Sequence, residues 1–420
     1  MGLIYGQDNE EIMARLKSRF TLDTGDTRYI KRKGITVYDF VGFVISPTET
    51  LAVFPKHYFS ISHLDKLNKD ETHDVSDVAL LFQVIHKYIR EDSKNNKAHK
   101  YFGPEKAYES DYPFEAFFEV YDYYRRFGLY YEEETHIAKG QRGKISWKDT
   151  IQRADVLVSG GNIIFLPLYS KQKNAKSTFL SECMAFVINH TIQTFPFFLE
   201  MPPIHHMKWS MDFISHREAV LEQLYRCKRT IFKDMHKRLV EALIRFFETL
   251  DLTKEGGNIH LKINFFDKVW ESMIEKYLND CFVGVDEKEN KIIFDETQRK
   301  SSVRFRSQKF DIDASEHGFS IIPDHYGCSE DAQYIFDSKY YYEVKDLNYK
   351  QFTYNVLLSA YVSQSQKKTY SALFLPGHES SKLHLDVKPE YLMDSSKPHR
   401  VIEQYLDVKS VMQYYANSRF

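Results

Sequence analysis

Three residues in the last third of the chain have the types and spacing that phosphodiester hydrolysis requires. Asp324 follows Pro323 at the end of the apolar run Phe319-Ser320-Ile321-Ile322, and Asp337 ends a second run, Tyr334-Ile335-Phe336. The turn-formers Gly327, Cys328, Ser329 and Glu330 lie between them, so two adjacent strands can bring both carboxylates to one sheet edge. Lys339 lies two residues beyond Asp337; side chains alternate along a strand, so the two share a face roughly 6–7 Å apart. Hard oxygen ligands suit magnesium, which needs only one or two carboxylates from the protein. The cation lowers the pKa of its water and neutralises charge on phosphorus, and an ammonium beside it orients water or phosphate oxygen.

An acidic-x-Lys triplet alone says little. The chain also carries Asp92-Ser93-Lys94, Asp286-Glu287-Lys288, Asp386-Val387-Lys388 and Asp407-Val408-Lys409. The first two read as solvated charged loops, and the other two lack an upstream Pro-Asp partner. A buried carboxylate pair is costly without a cation or donors, so the pair at 324 and 337 invites one.

The elements around these residues form a pattern. Apolar spacing predicts helices over Phe265–Leu278 and Tyr349–Val362, with strands at VRFRSQKFDI, FSIIPD, QYIFDSKYYY, YSALFLP and LHLDV. Such a run folds as an α/β (α+β) layer, a mixed sheet flanked by helices. Upstream, ITVYDFVGFVIS and LAVFPKHYF read as a hairpin, and helices are predicted at Asp77–Ile89, Phe114–Phe127 and Thr178–Thr194. A single long helix is predicted from Arg217 to Leu250, then a Gly-Gly linker in TKEGGN (253–258). The expected organisation is a separate mixed α+β N-terminal region for DNA or partner contact (1–215), a helical connector (216–257) and a catalytic domain (258–420).

Bulk properties narrow the class. A net charge of −2 and a pI near 6.8 provide no global basic field, so any nucleic-acid contact must be local. Arg304 and Arg306 share a strand face and are the candidate backbone contacts, within a basic strip that includes Arg299, Lys300 and Lys309. Four scattered cysteines without a CxxC pair fit a reducing compartment rather than a zinc or disulfide framework. His205-His206 has no companion ligand at a fitting spacing and reads as loop. The N-terminus has no signal-peptide pattern and no apolar stretch is long enough to span a bilayer, so a cytoplasmic protein is expected.

The segment IIPDHYGCSEDAQYIFDSKYYYEVKDLNYKQFTYNVLL (321–358) resembles the nuclease core of LlaJI-type restriction endonucleases and McrC-like subunits, members of the PD-(D/E)xK superfamily. The likeness lies in Pro323-Asp324, Asp337-Ser338-Lys339-Tyr340, and Lys350-Gln351 followed by Tyr354. His325 and Tyr326 depart from the aliphatic residues usual after Pro-Asp. The resemblance implies a Mg²⁺-dependent DNA endonuclease, with Mn²⁺ able to substitute. Asp324 and Asp337 would hold the metal with help from Glu271, Lys339 would serve catalysis, and Gln351 would approach phosphate or hold a water. Lys350 would contact DNA.

The resemblance also implies double-stranded DNA as substrate, a separate McrB-like AAA+ GTPase as partner, and a cognate DNA methyltransferase in the same restriction system. In agreement, the chain has no P-loop: around Gly143-Lys144, Ala138 and Ile145 stand where glycine and a hydroxyl residue are needed. A non-catalytic DNA-binding or scaffold subunit on a degenerate nuclease fold is the alternative, and the intact Asp-Asp-Lys set argues against it.

Overall fold

Short runs of β-branched and aromatic residues build two five-stranded sheets within one unit of the chain. The computed structural model describes residues 2–418 except 14–15, 17–18, 47, 70–74, 96–107, 111, 196–202, 205–208, 251–258, 299, 316–317, 363–366 and 393–397. The linker at 253–258, the His205-His206 pair and Arg299 lie outside the described residues. One compact unit comprises Met1–Asp111 and Lys254–Phe420, the other Tyr112–Thr253.

In the first unit, β1 (Gly2–Gln7), β2 (Val41–Ile45), β3 (Glu49–Phe54), β4 (Tyr108–Ser110) and β5 (Ile259–Ile263) form one sheet in the order β1-β3-β2-β5-β4. β2 and β3 are the predicted hairpin, and β5 pairs antiparallel with both β2 and β4. Close approach of β5 depends on Gly42, whose φ is +144° and whose missing Cβ would collide with the Leu261 carbonyl. Helix α1 (Ser76–Asn95) lies on this sheet, with Phe82 against Phe43.

The boundaries therefore differ from a linear division at 215 and 257. The strand at the start of the expected catalytic domain completes a sheet begun in the first 45 residues, because an isolated strand leaves its backbone groups unpaired.

The second sheet holds the candidate site. β6 (His325–Cys328), β7 (Ala332–Ser338), β8 (Lys368–Pro376), β9 (Lys382–Asp386) and β10 (Arg400–Leu406) lie in the order β6-β7-β8-β10-β9. β7, β8 and β10 run parallel, and β6 and β9 are antiparallel edges. This is the predicted mixed sheet flanked by helices, and the fold is mixed α+β. Helix α2 (Phe266–Cys281) buries Phe266, Val269, Trp270, Met273, Ile274 and Tyr277 at three- and four-residue steps. Trp270 donates its indole N–H to the Phe374 carbonyl of β8 at 3.2 Å, which fixes the helix to the sheet. Helix α3 (Tyr349–Tyr361) packs Tyr354 and Leu358 with Ile335, Tyr326 and Ile321. The last helix, α4 (Val408–Asn417), is held at its C-terminus by buried Lys87 of α1, which donates to the Tyr415 and Ser418 carbonyls.

The second unit packs the helices Phe114–Phe127, Phe179–Thr194, Arg217–Thr230 and Asp234–Thr249 around an aromatic core that includes Phe117, Phe246 and Phe247. The long helix predicted over 217–250 is two helices, broken at 231–233, where Phe232 is 84% exposed. The helical periodicity runs across the break without Gly or Pro to mark it. No described helix is long and apolar enough to cross a membrane.

Candidate active site

Register brings the two acids together. β6 and β7 pair His325 with Phe336 and Tyr326 with Ile335, so continuing the ladder by one residue sets Asp324 opposite Asp337. The Ser338 backbone N–H donates to Asp324 Oδ2 at 3.0 Å, and His325 Nε2 lies 2.7 Å from the Ser338 hydroxyl. The departure at 325 from the aliphatic pattern is thus absorbed by a polar contact under the strand end.

Asp337 is fully buried, and two ammonium groups meet it: Lys339 forms an ion pair with Oδ2, and Lys350 Nζ stands 3.4 Å from Oδ1. Lys350 also lies 4.0 Å from Asp324 Oδ1, so it bridges the pair. Lys339 is held in place by its own backbone N–H, which donates to the Phe374 carbonyl at 2.9 Å.

The electrostatics follow from burial. Desolvation and the adjacent Asp337 charge push Asp324 up to about 8, with Glu271 adding to the rise. Burial acts in the same direction on Asp337, but Lys339, Asp324 and Lys350 together hold its carboxyl below the ordinary range. Two carboxylates this close, in a poorly solvated place, do not both ionise readily. One ionised acid and one protonated acid is the arrangement the surroundings favour when no further cation is present.

The remaining predicted residues divide. Glu271 is near enough for its charge to act on Asp324, yet its direct partner is Lys268 at 3.0 Å. Burial opposes the Lys268 charge, but Glu271, Asp267 and Asp324 hold its pKa above the usual lysine value. No three His, Cys, Asp or Glu side chains converge on a metal-sized site among the described residues. The acidic donors facing one another are therefore Asp324 and Asp337.

Gln351 is fully buried, and its amide N–H groups donate to the Ile335 carbonyl at 2.6 Å and the Ser371 hydroxyl at 2.7 Å. It stitches α3 to the sheet, rather than reaching out to phosphate. Lys350, expected as a DNA contact, has its ammonium on the two acids. Apolar spacing predicted its helix from Tyr349, and the structure adds a cap at Asn348, but nothing local indicates where the lysine points.

Arg304 and Arg306 are exposed while Val303 and Phe305 between and before them are buried, the predicted alternation, but the predicted strand VRFRSQKFDI is reduced to an isolated bridge at Arg306 and the pair Phe310–Asp311. Arg306 makes a two-way backbone bridge to Tyr326 of β6, at 2.8 and 3.2 Å. The close fit requires Gly327, where a Cβ would lie 2.7 Å from Val303 and 2.8 Å from Phe305. Arg304 and Arg306 thus lie beside β6, the strand that follows Asp324. A cavity of about 310 Å³, lined in part by Asp8, Lys56, Asn264, Asp267 and Tyr340, opens just past the end of β7, and neither Asp324 nor Asp337 lines it.

Comparison with known proteins gives a family. Residues 40–409 match the LlaJI restriction endonuclease family. No curated protein matches the chain. Among solved structures, one similar chain is in the refined half-complex of the tetradecameric assembly of Thermococcus gammatolerans McrB AAA+ hexamers with bound McrC. It is 12% identical, with 99% of each chain covered and a TM-score of 0.39.

Proposed function

The chain belongs to the LlaJI restriction endonuclease family, and from that premise we propose that it is the DNA-cutting subunit of a restriction system, hydrolysing phosphodiester bonds at Asp324, Asp337 and Lys339. The observation that carries this reading is the cross-strand opposition of the two acids with a lysine ion-paired to one of them.

The donor set fits a hard divalent cation. Two carboxylates that resist joint ionisation would both become anionic beside Mg²⁺, and Mn²⁺ would serve through the same oxygens. Asp324 and Asp337 would hold the ion, with Glu271 acting on it from α2 through charge rather than direct contact. Such an ion supplies charge neutralisation at the phosphate and a water of lowered pKa. Lys339 is ion-paired with the buried Asp337, where its Nζ can orient the attacking water or a phosphate oxygen. Gln351 fixes the helix that brings Lys350 to the acids, and Arg304 and Arg306 offer a track for the DNA backbone beside β6.

The chain has no P-loop in its sequence, so nucleotide-driven recognition or translocation would come from another protein. An McrB-like AAA+ GTPase is the proposed partner, double-stranded DNA the substrate, and a methyltransferase of the same system the source of self-protection. The test is cleavage of methylated and unmethylated plasmid by the chain with such a GTPase, GTP and Mg²⁺. Cleavage should vanish on chelation and in Asp337→Ala while the circular dichroism spectrum is unchanged. Undiminished cleavage in that variant removes the assignment. Retained DNA binding with no metal binding by calorimetry would favour a scaffold subunit instead.

A further inference from the structure

Away from the acids, a second buried polar network occupies the far edge of the catalytic sheet. Glu403 of β10 and His384 of β9 are paired at 2.8 Å through Oε1 and Nδ1, with side chains only 4% and 7% exposed. Glu403 Oε2 accepts from the Tyr405 hydroxyl at 2.5 Å and lies 3.3 Å from Lys382 Nζ. The second ring nitrogen of His384 receives the backbone N–H of Asn348 at 3.0 Å. A backbone N–H only donates, so Nε2 carries the lone pair and Nδ1 the proton that faces Glu403.

This geometry is built by an irregularity. β9 and β10 pair Leu383 with Ile402 and Leu385 with Val401, which leaves His384 as the extra residue of a β-bulge. Bulges re-aim a side chain and are frequent beside active sites. A buried Glu–His pair costs desolvation that an apolar pair would avoid, and what this one accomplishes is to hold one backbone amide.

That amide is the entry to α3. Asn348 caps the helix, its Oδ1 accepting the Gln351 N–H at 2.9 Å, and the Gln351 side chain is clamped to Ile335 and Ser371. Lys350 lies between these two anchors, with its ammonium 3.4 Å from Asp337 and 4.0 Å from Asp324. We propose that His384 and Glu403 are positioning residues which fix, through Asn348, the place of Lys350 against the catalytic acids. For its catalytic consequence the inference rests on the nuclease reading; for its geometry it does not.

The experiment measures the reactivity of the Lys350 amine in the full chain without metal, by acetylation with an amine-reactive ester and peptide mass spectrometry. Lys345, whose side chain is 71% exposed, is the internal reference. His384→Leu keeps most of the volume but offers no acceptor. It should acetylate Lys350 roughly fivefold faster than wild type, the factor that one lost hydrogen bond carries, with Lys345 unchanged. His384→Gln can accept from Asn348 and donate to Glu403, and should restore slow acetylation. Unchanged Lys350 reactivity in His384→Leu overturns the proposal, as does equal acceleration of Lys350 and Lys345, which reports general loosening. Should His384→Leu fail to fold, Glu403→Gln, which weakens the same tether, is read in the same way.

In the cleavage assay, His384→Leu should lower kcat roughly tenfold or more with KM for DNA held, and add nothing in a Lys350→Met background. An equal loss in both backgrounds overturns the proposal. Absence of cleavage in the wild-type chain would count against the nuclease reading, while the acetylation result still decides the tether.

Discussion

Replacing Asp324 by Asn should make the protein more stable in alkaline solution and leave it nearly unchanged in mild acid. Asn is isosteric with the protonated acid and can still accept the Ser338 N–H now held at 3.0 Å. Burial and Asp337 raise the Asp324 carboxyl to about 8, whereas in the unfolded chain it titrates near 4. Between these values the folded state binds the extra proton, so wild-type stability falls as pH rises, by at most about 1.4 kcal/mol per pH unit. From pH 5.5 to 8 the ceiling is about 3 kcal/mol; with the carboxyl 18% exposed and Lys350 nearby, about 2 kcal/mol is expected.

Asp337 does not blur the measurement. Its carboxyl is held low despite burial, so its contribution is lost only as pH falls below the ordinary carboxylate range, outside the window. The assay is urea unfolding of wild type and Asp324→Asn in EDTA at several pH values, taking the difference at each. The gap should widen towards pH 8, and Mg²⁺ should narrow it by stabilising only the wild type. A gap that stays flat, or that favours wild type at pH 8, would refute the claim that the two acids compete for one negative charge.

Three other outcomes follow from the geometry. A fragment of residues 258–420 should fail to unfold cooperatively in urea, because β5 loses both of its partners, β2 and β4. Gln351→Leu should cost about 1–3 kcal/mol in urea unfolding by removing the amide donor to the Ile335 carbonyl and the Ser371 hydroxyl. If Arg304 and Arg306 follow a DNA backbone, replacing both by Ala should lower the slope of log affinity against log salt by about 2, one unit for each phosphate no longer neutralised, as read in fluorescence anisotropy.

The paired acids Asp324 and Asp337 were legible because their signal is local. Two apolar runs ending in Asp, a turn between them and a lysine two places on define a hairpin edge, and strand alternation then fixes the face. The helices at 114–127, 179–194 and 266–281 were legible for the same reason, since three- and four-residue apolar spacing has one economical burial. The break at 231–233 was not, because helical spacing of apolar residues does not say whether the backbone continues through every turn.

By itself, then, the amino-acid order determined the Asp324–Asp337–Lys339 hairpin, the mixed sheet around it and the alternating basic strip at 303–306. Only tertiary structure decided that β5 joins the N-terminal sheet, that Lys350 rests on the acids, that Gln351 turns inward, and that a bulge aims His384 at Asn348. The physical reason is one of range. Periodicity and turn chemistry act between neighbours in the chain, while strand partners and the destination of a long, flexible side chain are set by groups that folding brings from dozens or hundreds of residues away.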